Sequence, residues 1–375
     1  MNDKPLIAVL STVRINPNSG FPTGREARIY KEKFAAAKQY GIRMFLFFVD
    51  DVNWINRTIK GFAFVTSTDN KGHWVRKAFP FPDVVYNRIR YRKIEKQPKV
   101  KQLLKSFDND PNIQLFNTRF LDKWEVHQSL INNPNTLKMV PPTRLFSSIN
   151  LKEFLDKYSE VFIKPRNNNA GRGIVKVICD TSNIYTYGRS DTSPPKWRKS
   201  TSFSKLWNHL INEIRNPDDY LIQTGIDLCR LDGQVFDLRA QVQKDGNGKW
   251  VFTGVNVRAA TGNRFVTYPK VGKRVSFDKA IDIVADGSEE FKCGINYQLS
   301  DLYHYVPMIL EKDLGLSLGV LSIDIGIDIH GKTWLIEVSS KSDSFSEDNI
   351  RARHFKYLME YFLYITGGNP GKNAR

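Results

Sequence analysis

From Ser322 to Lys341 (SIDIGIDIHGKTWLIEVSSK) apolar and polar residues alternate, break at His330-Gly331, and alternate again, the pattern of a β-hairpin. A two-residue loop at His330-Gly331 would pair Ile329 with Lys332 and set Asp324 directly opposite Glu337. Asp328 would share the face of Asp324, and Ser339 that of Glu337, because strand side chains repeat every second residue. Two like charges facing each other at about 5 Å destabilise a strand pair, so this face calls for a cation. Oxygen ligands without His or Cys point to a hard ion, Mg²⁺ before Zn²⁺, at Asp324, Glu337 and Ser339. The plainer alternative is an exposed hairpin whose acids are simply solvated.

Upstream, PLIAVLS (5–11) reads as a strand, Thr23 to Tyr40 as a helix stopped by Gly41, and IRMFLFFV (42–49) as a buried strand. This βαβ opening predicts a parallel sheet. No GxGxxG follows the first strand, so a dinucleotide site has no support. Short strands are expected near Gly61–Val65 and Asp83–Tyr86. FLDKWEVHQSL (120–130) has helical spacing with Asp122 as its N-cap candidate. PPTRLF (141–146) reads as a linker, and a short helix follows from Leu151 to Tyr158. VFIKPRNNNAGRGIVKVI (161–178) reads as strand, small-residue loop and strand. A helix near 202–214, a strand over 219–228, and two long strands around the DGNG turn of 236–260 come next. Helices are expected near 296–314 and 345–364.

Composition changes this picture in one respect. The chain has 375 residues, 41% of them hydrophobic, with no run of about 18 apolar residues to span a membrane and no signal-peptide pattern. Cys179, Cys229 and Cys293 lie far apart and in no metal-binding spacing, as expected of buried thiols in a reducing, cytoplasmic setting. The 56 Lys and Arg against 39 Asp and Glu give +17, which favours anionic partners. Seven basic residues crowd NRIRYRKIEKQPKVK (87–101) after a predicted strand. Arg88, Arg90 and Arg92 would share a face if extended, either solvated or at the strand end where α/β proteins place ligand groups. No nucleic-acid module is recognisable, so nucleic acid ranks last among partners.

The 161–178 segment lacks the GKS/T of a P-loop. Its turn, Asn167 to Gly173, tolerates positive φ and exposes backbone N–H groups that can fold over an anion. Lys164 and Arg172 suit phosphate oxygens. Asp237 and Arg239 fall on one strand face with Arg258 on the return strand, a pairing suited to stabilising a charged intermediate.

Six segments carry a resemblance: FPDVVYNRI (81–89), FNTRFLDKWEV (116–126), VFIKPRNNNAGRGI (161–174), YLIQTGIDL (220–228), FDLRAQVQKDGNGKW (236–250) and IDIGIDIHGKTWLIEV (323–338). In their order the chain resembles the ATP-grasp superfamily of carboxylate–amine ligases, and within it the endospore coat-associated YheC/YheD branch. The resemblance implies an α/β (α+β) ATP-grasp fold. A parallel pre-ATP-grasp domain would cover 1–115 and the ATP-grasp domain 116–375, with a lid subdomain near 147–222 and a C-terminal antiparallel sheet. It implies ATP and Mg²⁺ as cofactors. Lys123 and Lys164 match the nucleotide lysines, and Asn169, Gly171, Arg172 and Gly173 match the phosphate loop. Gln223, Gly225 and Ile226 match the adenine hinge, with Asp227 near the ribose. Asp324 and Glu337 match the Mg²⁺ ligands, and Arg239 and Arg258 match catalytic positions near the transferred phosphate. The implied reaction joins a small-molecule or peptide carboxylate to an amine through an acyl phosphate, in the cytoplasm or in association with the spore. Ser339 stands where the branch has asparagine, and 264–273 departs from its pattern. These two differences suit the rival reading, a nucleotide-binding or structural spore protein without turnover.

Overall fold

The computed structural model describes residues 4–66, 72–168, 171–191, 194–260, 275–341, 345 and 347–368. Asn169 and the 264–273 segment lie outside the described residues. The N-terminal apolar runs become β1 (Leu6–Ser11), β2 (Arg43–Phe47), β3 (Val52–Asn53), β4 (Thr58–Thr66), β5 (Gly72–Pro80), β6 (Val84–Arg88) and β7 (Gln114–Phe116). They form a seven-stranded sheet whose centre, β2-β1-β6-β7, is parallel, as the βαβ opening predicts. Strands buried on both faces need an apolar residue at every position, and β1 is buried along its whole length. Helices α1 (Gly24–Gln39), α2 (Arg92–Glu95) and α3 (Pro98–Asp108) belong to this part of the chain.

After α4 (Lys123–Ile131) comes a six-stranded antiparallel sheet. It comprises β8 (Thr143–Leu145), β9 (Glu160–Pro165), β10 (Val175–Cys179), β11 (Tyr185–Arg189), β12 (Trp197–Ser200) and β13 (Tyr220–Thr224). Helices α5 (Ser148–Lys157) and α6 (Phe203–Glu213) cover it, packing Leu151, Phe154 and Leu210 against Val161, Ile163 and Val177. The expected linker PPTRLF is therefore partly a strand, pairing β8 with β13.

The third sheet is antiparallel and five-stranded: β14 (Arg230–Leu231), β15 (Gln234–Lys244), β16 (Trp250–Ala259), β17 (Val320–Ile327) and β18 (Thr333–Ser339). Its apolar face packs on α4, α7 (Phe277–Ala285) and α8 (Glu289–Leu314). The last helix, α9 (Asp348–Ile365), buries Leu358, Met359, Tyr361, Phe362 and Leu363 in the same cluster as Val9, Phe34 and Tyr86 of the first sheet. Tyr86 stacks on Phe116 at 4.3 Å between centroids, and Phe362 meets both rings edge-on. One core thus joins residues from the two ends of the chain.

The hairpin β17–β18 places Asp324 opposite Glu337 as the alternation predicts, but by a different route. The loop is not the two residues His330-Gly331, because the Asp328 N–H donates to the Lys332 carbonyl and Ile329 to Gly331 form the turn. This shifts the pairing by one, to Ile327–Thr333 and Ile325–Leu335, until a β-bulge at Ile336 restores it at Asp324–Glu337. Asp328 is a turn residue, its carboxylate accepting the N–H groups of His330 and Lys332 at 2.9 Å and the Trp334 indole at 2.8 Å. Among the described residues, no helix is long and apolar enough to cross a membrane.

A candidate nucleotide cleft

Between the second and third sheets lies a small, partly open cleft with about 40 Å³ of enclosed volume. Its walls are apolar: Val126 of α4, Val140 and Pro141 before β8, Leu221 of β13, and Leu335 and Val338 of β18. Its polar end holds Lys123, Lys164, Gln223 and Glu337. Each of these is fixed by its element. The Asp122 carboxylate caps α4, accepting the N–H groups of Trp124 at 2.8 Å and Glu125 at 3.3 Å, which sets Lys123 in the first turn. Lys123 Nζ donates to the Asn168 carbonyl at 2.6 Å and pairs with Glu337 at 3.2 Å. Lys164 on β9 donates to the Gln223 side chain, whose Nε2 donates to Thr143 Oγ1 at 2.9 Å. Burial pushes the Lys164 ammonium down to about 8, with Glu337 opposing the shift and Lys123 adding to it.

The bulge at Ile336 lets Ile336 and Glu337 line the cleft in succession, one apolar and one charged. His127, one helical turn beyond Lys123, and Thr143 also line it. Burial drives the His127 imidazole down to about 4, with a hydrogen bond to the Thr143 backbone opposing the shift, so it is neutral at physiological pH. The spacing in LDKWEVH already places Lys123 and His127 on one helix face. Thr143 carried no signal, because it sits in the expected linker.

Asp324 and the arginines form a connected ionic chain across the polar face of the third sheet. The Arg239 guanidinium donates Nε and Nη2 to the two carboxylate oxygens of Asp324, both at 2.8 Å. Arg258 reaches Asp324 at 2.9 Å and grips Asp237 through two bonds of 2.6 and 2.7 Å. Burial alone would raise the pKa of Asp324, but Arg258 and Arg239 outweigh it and hold the carboxyl well below the usual carboxylate range. Cations that offset the hairpin acids are therefore supplied by the protein: two arginines for Asp324 and Lys123 for Glu337. Among the described residues, no group of three or more His, Cys, Asp or Glu converges to hold a metal. Ser339 pairs in register with Ser322, one row beyond Asp324–Glu337, and its hydroxyl accepts the Lys341 N–H at 3.3 Å.

In the glycine loop, Gly171 and Gly173 have φ of 66° and 73°, the left-handed region expected of a tight turn. The Gly173 N–H donates to Asp191 at 2.8 Å, and Ser190 Oγ donates to the Gly171 carbonyl at 2.6 Å. Arg172 is exposed. At the other expected contact, Gly225 passes so close to Glu160 that an added Cβ would lie 2.6 Å from Glu160 Cγ. Gly225, Ile226 and Asp227 continue the chain beyond Gln223 but do not line the cleft. The Gly225 N–H donates to the Glu160 carbonyl at 2.7 Å, and the Asp227 carbonyl accepts from the Ile329 N–H at 3.0 Å.

The basic run does not form one face. Arg88 ends β6 and lies over the Tyr86 ring, Arg90 pairs with Glu26 of α1 at 2.9 Å, and Arg92 begins α2. Below it, Lys341 is a buried cation that no motif predicted. It donates to the Asn87 carbonyl at 2.7 Å and to the Asn117 carbonyl, and lies 3.6 Å from Glu95.

Residues 112–365 match the family model described as YheC/D like ATP-grasp. The endospore coat-associated protein YheD of Bacillus subtilis (strain 168) is 30% identical over 332 residues, covering 85% of this chain and 71% of that protein. Among solved structures, D-cycloserine synthetase DcsG is similar with a TM-score of 0.52 at 13% identity, covering 95% of this chain and 99% of its own. The VanG D-Ala:D-Ser ligase of Enterococcus faecalis has a TM-score of 0.51 at 13% identity, covering 97% and 100%. At that level of identity the likeness is one of fold, and it extends over all three sheets.

Proposed function

Because the chain belongs to the YheC/D-like ATP-grasp family, we propose that it is an ATP-dependent carboxylate–amine ligase. The supporting observation is the cleft, with apolar walls suited to a flat base leading to Lys123, Lys164 and Glu337 at one end. Bound Mg-ATP would supply the phosphoryl group that turns a substrate carboxylate into an acyl phosphate, from which an amine displaces phosphate to leave an amide. Lys123 and Lys164 hold phosphate oxygens, and the neighbouring sheets exclude water from the base. An oxygen-only donor set suits Mg²⁺. Glu337 and Ser339 would hold the ion, and Asp324 would join them only on releasing one of its guanidinium contacts. Arg239 and Arg258 present positive charge to the acid being activated. The substrates on this reading are a small-molecule or peptide carboxylate and an amine, and the endospore-coat association in the relative's name supports a setting at the spore.

Thermal-shift titration tests the premise. Mg-ATP should raise Tm, since a ligand at a hundred times its Kd stabilises by about 2.7 kcal/mol, and Mg²⁺ alone should do little. An unchanged Tm at millimolar Mg-ATP would refute the reading. Binding without turnover against pooled amino acids and short peptides would favour a nucleotide-binding spore protein instead.

Lys164 gives this site a pH dependence of definite sign. The ammonium is present below about pH 8 and is lost above it. Nucleotide affinity should therefore fall as pH rises from 7 to 9, and binding near pH 8 should take up protons, measurable by calorimetry in buffers of different ionisation enthalpy. Lys164→Ala should weaken binding and abolish this dependence. A pH-independent affinity in the parent would show that Lys164 does not touch phosphate.

A further inference from the structure

We propose that Arg92, from the basic run of the N-terminal part of the chain, is a phosphate-contacting residue that engages the terminal phosphate of the bound nucleotide. The inference rests on the ligase reading and adds to it a residue from outside the two expected lysines.

The placement of Arg92 is fixed from both sides. Helix α2 is held at its other end by Glu95, which accepts the Phe120 N–H at 2.6 Å and the Asn87 side chain at 3.0 Å. The guanidinium lies 4.7 Å from the Phe120 ring centroid and donates to the Leu121 carbonyl, two residues before Lys123. Its Nη1 also reaches Asn167 of the glycine loop at 3.4 Å, a long contact that a ligand can replace. Arg92 thus stands where the glycine loop meets the segment that delivers Lys123.

Charge accounting makes this position informative. Lys123 is paired with Glu337, Arg166 with Asp122, Arg239 and Arg258 with Asp324, and Lys341 with Glu95. Among the described residues, Arg92 forms no ion pair. Burial is the largest influence on its guanidinium, and the attraction it feels comes first from Glu337, then Asp122 and Glu95, with Arg119 opposing. All three acids are already engaged by other donors. Lys164 has the same signature: a partly buried cation bonded to a neutral amide, within the field of Glu337 and without a carboxylate partner. A partly buried arginine keeps its charge and needs a counter-charge. An anion seated beside Glu337 would supply it to both. The planar guanidinium can grip phosphate oxygens while keeping its bond to the Leu121 carbonyl.

The test compares Mg²⁺ complexes of a non-hydrolysable ATP analogue, ADP and AMP by calorimetry in the parent, Arg92→Gln and Arg92→Lys. Removing a hydrogen bond to a charged group costs about tenfold or more in affinity. Arg92→Gln should therefore weaken the ATP analogue by at least about tenfold and change ADP and AMP by less than about threefold. Arg92→Lys, which keeps the charge and secures the test if the glutamine variant folds poorly, should lose an intermediate amount for the ATP analogue alone. Equal losses for all three nucleotides would make Arg92 a brace for the Lys123 segment and overturn the proposal, as would unchanged binding of the ATP analogue. A parent that binds none of the three would instead overturn the ligase reading on which the proposal stands.

Discussion

Asp324→Asn is expected to destabilise the protein by about 3 kcal/mol, more than any other single change at the site. Removing one partner of a buried ion pair costs about 3–5 kcal/mol because the remaining charge has lost its solvent and its counter-ion. Here one carboxylate serves two guanidinium groups. The lower end of that range applies because the Arg239 side chain is 31% exposed and recovers some hydration, whereas Arg258 is 10% exposed. The sign of the pH dependence follows from the depressed carboxyl of Asp324. A folded pKa below the unfolded one gives stability that is complete above the unfolded value, about 3.9, and is lost as pH falls through the folded value. Denaturant unfolding of parent and variant should therefore differ by a constant amount from pH 7 to about 5 and converge in stronger acid. A variant as stable as the parent at pH 7 would show that the ionic chain contributes nothing to the fold.

Glu337→Gln has the opposite profile, a small effect on stability and a large one on chemistry. The Glu337 side chain is 26% exposed and makes one ion pair, with Lys123 at 3.2 Å, so its loss should cost about 1 kcal/mol, less than the loss of Asp324. Its negative charge, however, lies in the field of Lys164 and Arg92 as well as beside Lys123. Without it, metal-free ATP should bind more tightly than in the parent, and the advantage of Mg-ATP over ATP with chelator should disappear. Metal-dependent turnover should drop by at least about a hundredfold, the upper end of what disturbing even an outer-shell group costs a metal site. Ser339→Asn should be tolerated, because it offers an amide oxygen where a hydroxyl now stands. A Glu337→Gln protein that keeps its Mg²⁺ dependence would place the metal elsewhere.

The sequence was legible where periodicity alone determines geometry. Alternation along Ser322–Lys341 paired Asp324 with Glu337, and helical spacing with Asp122 as cap positioned Lys123. Yet the hairpin pairing came from two deviations of opposite sign, a longer turn and the bulge at Ile336, and neither leaves a mark in an alternating pattern. Thr143 was invisible because a three-residue strand is too short to show a period, and the prolines before it read as a linker. The spacing of Arg88, Arg90 and Arg92 misled for a different reason. Equal spacing implies a shared face only while the backbone stays extended, and the strand stops at Arg88. Lys341 was beyond reach in principle, since its oxygen partners lie more than two hundred residues away in sequence.

The cluster that Phe362 and Met359 share with Tyr86 and Val9 crosses the boundary of the family-model match. Recognisable kinship with the family model starts at residue 112. Many of the side chains in the cluster that covers one flank of α9 come from before that point. A gene fragment trimmed to the stretch that matches the family model would encode a helix with a bare apolar flank, inviting aggregation during expression. Supplying residues 1–111 as a separate polypeptide should restore solubility only if the fragments meet while α9 is still uncovered. The stretch that matches the family model is shorter than the unit that covers its own apolar surface.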